Sequence, residues 1–139
     1  MFFSVKFLFN FENKLVFWDF WHTRCAPCLK NFPNIAATQQ YYSADSTVVF
    51  VAVTLGKSDS FERFANFVKK HDEKGVIFLY DEDSNFGNSI DIDAVPVYLI
   101  SYNGKIYWQH EGASQEEMSI FTAQAIAKIE AVKKIISDE

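Results

Sequence analysis

The chain has 139 residues, 49% of them apolar, and a formal net charge of −5. That length suits one domain whose core needs no disulfide or metal to hold it together. Its lysines and arginines are scattered, so no basic stripe marks a nucleic-acid or anionic-membrane surface, and two cysteines are too few for a disulfide-built secreted scaffold.

The first nine residues, MFFSVKFLF, are apolar around one lysine. They lack the basic start and small-residue cleavage site of a signal peptide, and fall far short of the ~20 residues that span a bilayer. Residues 1–13 are therefore expected as an extra N-terminal strand or a linker stub, at the start of a single domain over 1–139. Lys14 to Trp21 is apolar on both faces except at Asp19, as in a central strand covered on both sides. Cys25 then opens a helix with Pro27 in its first turn, where a missing N–H is tolerated. Leu29, Phe32, Ile35 and Ala36 are its expected inner face, Pro33 a kink, and Tyr42 its approximate end.

Thr47 to Leu55 reads as a second buried strand. Phe61, Phe64, Ala65 and Val68 recur at helical spacing up to about His71. After an Asp72–Gly75 loop, Val76 to Tyr80 forms a third strand, so the pattern is β-α-β-α-β with parallel pairing. A short helix fits around Phe86 to Ile90, and a fourth strand, Val97 to Tyr102, follows Pro96. Asn103-Gly104 is the strongest hairpin signal, returning the chain along Lys105 to Glu111. Ser114 with Glu117 has the form of a capping box. The helix it opens is expected to bury Met118, Phe121, Ala125, Ile129, Val132 and Ile136.

The two cysteines stand three apart at a strand-to-helix junction. A disulfide between them closes so small a loop that it constrains little of the unfolded chain, so chemistry explains the pair better than stability. At the helix N-terminus the unpaired N–H groups and the dipole favour a thiolate at Cys25, and Arg24 adds positive charge. Cys28, one turn on, is placed to resolve a mixed disulfide at Cys25. Ala26 and Pro27 make the turn small and stiff. Two plain core cysteines or half a zinc site are the alternatives. Zinc needs two more ligands, and His22, His71 and His110 show no paired spacing.

The segment FWDFWHTRCAPC resembles the thioredoxin family, and CAPCLKNFP looks like its TlpA/ResA branch. Val95-Pro96 before an apolar strand is similar to the family's cis-proline site, and YNGKIYWQHEG to its hairpin and terminal glycine. The material between Thr47 and Asp81 fits the branch's extra strand and helix. The resemblance implies an α/β thioredoxin fold, three layers α/β/α, with about five strands in a mixed sheet and about four helices. It further implies a thiol–disulfide oxidoreductase that reduces protein disulfides, with Cys25 as nucleophile and Cys28 as resolving thiol.

By the same resemblance Asp19 relays protons to Cys28, and Pro96 follows a cis bond. Trp21, Arg24, Ala26, Pro27 and Val95 are expected at the substrate surface, Val95 through backbone groups that an extended peptide pairs with, while for Trp21 packing beneath or beside the site is the other expectation. Metal and separate cofactor are not expected, the redox group being the Cys25–Cys28 disulfide. Expected partners are protein disulfides or dithiols and an upstream thiol donor, not nucleic acid, with the chain a monomer outside the cytoplasm in the periplasm or cell envelope.

Three departures from the family pattern bear on tuning. Arg24 stands where thioredoxins usually carry tryptophan, Asn31 where the cytochrome-maturation reductases have glutamate, and Val53 where thioredoxin has a lysine near the buried acid. A peroxidase of the redoxin superfamily is the competing enzyme class, but its motif wants a threonine three before the cysteine, whereas Thr23 stands two before Cys25. A non-catalytic thioredoxin-fold binding module is the other alternative.

Overall fold

The computed structural model of the chain describes residues 11–71 and 75–139. Its elements are β1 (Leu15–Trp21), α1 (Ala26–Tyr41), β2 (Val48–Leu55), α2 (Phe61–Lys70), β3 (Val76–Asp81), α3 (Asn85–Ser89), β4 (Val97–Tyr102), β5 (Lys105–Glu111) and α4 (Gln115–Ser137). Most of the expected N-terminal strand or stub, and most of the Asp72–Gly75 loop, lie outside the described residues.

The five strands form one mixed sheet in the order β3-β2-β1-β4-β5. β1 pairs parallel with β2, and β2 with β3, while β4 runs antiparallel to both β1 and β5. β1 lies between two neighbours and every residue of it is buried, which is why its sequence is apolar on both faces. Its side chains alternate between two cores. Leu15, Phe17 and Trp21 face α1, α2 and α4, whereas Val16, Trp18 and Phe20 face α3 and the following Ile90 and Ile92. The crossovers from β1 to β2 and from β2 to β3 run the same way across the sheet, which sets α1 and α2 on one side. The layering is thus α/β/α, with α3 as the thinner third layer.

Aromatic packing fixes the thicker layer. Phe17 is fully buried and its ring lies within 6.3 Å of the rings of Phe50, Tyr98, Trp108 and Phe121. The Asn103–Gly104 turn takes positive φ at both residues, the conformation that Asn-Gly adopts most cheaply in a two-residue hairpin.

Helix faces differ from the expected ones in detail. On α1 the buried stripe is Cys28, Asn31, Phe32, Ile35 and Thr38, while Leu29 is exposed and Ala36 half-buried. Leu29 lies about 100° around the helix from Cys28, which the packing turns inward. α1 runs on through Pro33, whose ring removes only the bond that the Leu29 carbonyl would accept. On α2, Phe64 is the buried residue, Phe61 is exposed, and Phe67 packs inward instead. On α4, Phe121, Ala125, Ile129 and Val132 are buried, with Met118 and Ile136 half-buried near its two ends.

The capping box forms as a reciprocal pair. Glu117 N–H donates to Ser114 Oγ at 3.1 Å, and Ser114 N–H donates to Glu117 Oε1 at 2.9 Å. Ser114→Ala is expected to lower the unfolding free energy by about 1 kcal/mol in a urea titration. An unchanged midpoint would mean that packing alone sets where α4 starts.

Candidate active site

β1 delivers the site. After Trp21 the chain leaves the sheet, turns through His22–Arg24, and enters α1 with Cys25 as its N-cap. Cys25 Sγ accepts the Cys28 N–H at 3.2 Å, so the sulfur itself satisfies one of the helix's unpaired donors. Cys25 and Cys28 are joined as a disulfide. Both are buried, at 6% and 3% exposure, while Arg24, Ala26 and Pro27 beside them are exposed and form the rim that a partner meets.

The Val95–Pro96 peptide bond is cis. Phe20 is paired with Val97 across β1 and β4, so one step further along the strands sets Trp21 against Pro96. Val95 packs against the core cluster that contains both cysteines. The Pro96 carbonyl accepts the N–H of Gly112 at 2.8 Å, and Gly112 has the positive φ that suits glycine there. Among the described residues, neither the N–H nor the C=O of Val95 has a hydrogen-bond partner.

Asp19 is buried in β1 on the thiol side of the sheet, and its Oδ1 has no hydrogen-bond partner among the described residues. Burial pushes its carboxyl up to about 8. Its cross-strand partner is Tyr98, whose phenol is raised first by burial and then by the Asp19 charge. Asn31 Nδ2 donates to Tyr98 Oη at 2.8 Å, and Asn34 Nδ2 donates both to Asn31 Oδ1 at 2.8 Å and to the Met118 carbonyl at 2.9 Å. Neutral amides therefore tie α1 to β4 and α4 beside the acid.

Two expectations are corrected here. Trp21 is only 1% exposed, its ring packed 4.5 Å from that of Phe67, so it supports the site from beneath and does not line a substrate surface. Val53 belongs to the opposite core, and the β2 residues paired on the Asp19 side are Ala52 and Thr54.

A further residue emerges that sequence reasoning passed over. Asp59, in the β2–α2 connection, accepts from Thr23 N–H at 2.7 Å, Thr23 Oγ1 at 2.7 Å, Ser60 N–H at 2.8 Å and Arg63 Nε at 3.0 Å. Burial works against its ionisation, yet these hydrogen bonds hold its carboxyl below the ordinary value. Burial is also the main cause that lowers His22, ahead of the raising effect of Asp59, with Arg24 lowering it further. The signal for Asp59 was faint: one acid in a Ser-Asp-Ser run before a helix.

The family model described as Redoxin matches residues 4–126. The chain belongs to the redoxin family. Among curated relatives of this redoxin, the thiol-disulfide oxidoreductase ResA of Bacillus subtilis is 32% identical over 114 residues, covering 80% of this chain and 60% of that protein. The chain thus spans about three-fifths of the length of the curated relatives it matches.

Solved structures share its thioredoxin fold. StoA from Bacillus subtilis superposes with a TM-score of 0.65 at 19% identity, covering 81% of this redoxin and 84% of StoA. The exposed lipoprotein thioredoxin Etrx1 of Streptococcus pneumoniae superposes at 0.63 with 22% identity, covering 83% of this chain and 87% of that one.

The raised Asp19 carboxyl carries a stability signature. The folded redoxin holds this proton up to about pH 8, whereas an unfolded chain loses it near pH 4. The folded state therefore binds more protons in that window, and Asp19 costs about 1.4 kcal/mol of stability per pH unit as pH rises through it, levelling off above. Asp19→Asn is expected to gain on the parent progressively across the window in denaturant unfolding. Parallel pH profiles for the two proteins would contradict a protonated Asp19.

Proposed function

We propose that this redoxin is a thiol–disulfide oxidoreductase that reduces protein disulfides, with Cys25 as nucleophile and Cys28 as resolving thiol. The observation that carries the proposal is the Cys25 sulfur at the N-cap of α1, accepting the Cys28 N–H. A thiolate there is stabilised by the helix end, and the exposed rim of Arg24, Ala26 and Pro27 leaves one side open to a partner.

The cycle balances as follows. The Cys25 thiolate attacks one sulfur of the substrate disulfide, forming a mixed disulfide and releasing the first substrate thiolate. Cys28 loses its proton and attacks Cys25 Sγ, which expels the second substrate thiolate and leaves the Cys25–Cys28 disulfide. Two electrons pass from the dithiol to the substrate, and an upstream dithiol donor restores them. The ionised fraction of Asp19 takes the Cys28 proton in this scheme, a minority that a carboxyl raised to about 8 keeps present near neutral pH and restores by releasing the proton again. An extended substrate pairs with the main-chain groups of Val95, which have no partner among the described residues, and lies against Pro96. The nucleophile, resolving thiol and docking edge all come from one chain, so a monomer suffices.

An extracytoplasmic site of action is part of this reading, supported by the likeness to Etrx1, itself described as an exposed lipoprotein. Among the described residues no helix is long and apolar enough to cross a membrane.

Insulin reduction in the presence of dithiothreitol tests the activity. The parent is expected to accelerate it, Cys25→Ser to abolish the acceleration, and Cys28→Ser to trap a mixed disulfide with substrate. Equal inactivity of parent and Cys25→Ser would point to a binding module instead. A reduction potential of about −270 mV fits the reductant role, whereas one of about −120 mV would make the protein an oxidant.

A further inference from the structure

We propose that Asp59 is a positioning residue for Cys25, acting through Thr23 from the β2–α2 connection. The inference rests on the reading of Cys25 as nucleophile and adds to it the device that fixes the nucleophile's loop.

The Asp59 side chain is fully shielded from solvent, and its two oxygens take four donors. Two of those four come from Thr23, 36 residues away in sequence and two before Cys25. Hydrogen bonds to an ionised acceptor are roughly twice as strong as neutral ones, so this junction is stiff. α2 does not need Asp59 to begin, because Ser60 caps it by accepting the Arg63 N–H at 3.2 Å.

The next two N–H groups are tied as well. Arg24 N–H donates to His22 Nδ1 at 3.2 Å, and Cys25 N–H to the His22 carbonyl at 3.1 Å. Three consecutive donors, Thr23 to Cys25, thus have fixed partners, and among the described residues Asp59 is the one of those partners outside the loop. α2 also grips the strand end from below, through Phe67 on Trp21. With the loop held, Cys25 Sγ stays against the Cys28 N–H, where a thiolate is stabilised. A loosened loop lets the sulfur leave that donor, and the thiolate becomes harder to form. The titratable and charged groups around the loop are His22 and Arg24 within it, Asp59 from the β2–α2 connection, Arg63 on α2, and Asp19 on β1. Thr23 variants alter none of their charges.

The test measures iodoacetamide alkylation of Cys25 against pH in the full chain, with Cys28→Ser leaving a single thiol. Thr23→Val removes the hydroxyl bond at constant charge and nearly constant shape. It is expected to slow alkylation at neutral pH by about tenfold, moving the profile up by about one pH unit, while Thr23→Ser stays within about twofold of the parent. In an Asp59→Ala background Thr23→Val should have no further effect, because the partner is already gone. Thr23→Ala serves in place of Thr23→Val should that protein not fold.

The proposal is overturned if Thr23→Val keeps the parent's alkylation profile and loses only thermal stability. A Thr23→Ser variant as slow as Thr23→Val, or a Thr23→Val effect that persists in full without Asp59, overturns it too. Alkylation reads the thiol without a protein substrate. A parent inert towards insulin would therefore sink the proposed activity while leaving this result standing.

Discussion

The structure depends on one placement: a cysteine sulfur at the N-terminus of α1, directly beyond the end of the central strand. Helix N–H groups that lack partners need an acceptor, and here that acceptor is Cys25 Sγ. β1 is buried along its whole length and bonded on both sides, so its end is among the most fixed points available in the domain. A reactive group mounted there inherits that rigidity. The proline site arrives at the same place because β4 runs antiparallel to β1, bringing its start beside β1's end.

The same arrangement explains why the chain tolerates an acid in its core. Burying Asp19 costs stability whenever the unfolded chain is ionised, and an apolar residue in β1 would avoid that. The surroundings keep the cost local. Tyr98, Asn31 and Asn34 supply neutral polar groups on the same side of the sheet, joined to one another by hydrogen bonds and not by ion pairs. A buried carboxyl raised to about 8 on the thiol side of the sheet is useful for moving protons and of little use for holding a fold.

Much of this was legible in the chain before the structure. Continuous apolar runs announced the parallel strands, Asn103-Gly104 the hairpin, and Ser114 with Glu117 the start of α4, because each is a local signal with a local cause. The family pattern supplied Cys25, Cys28, Asp19 and Pro96 as one group, which spacing by itself could not bring together. The failures have a common origin in side-chain direction. Leu29 and Phe61 are apolar but turned outward, while Asn31 and Phe67 are turned inward, since tertiary packing sets the rotation of each helix. Val53 failed for the strand version of the same reason, a one-residue step that moves a side chain to the other face. Asp59 left only a faint signal because its partner, Thr23, is distant in sequence and close only once the chain has folded.

The most direct measurement of the central claim is the thiolate titration of Cys25 in the fully reduced protein, followed by ultraviolet absorbance. An N-capping sulfur beside Arg24 should ionise well below the roughly 8.5 of a free cysteine, with Cys28 ionising separately and higher. Two thiols ionising together at the free value would show that the helix end does not activate Cys25, and the account would fail at its first step.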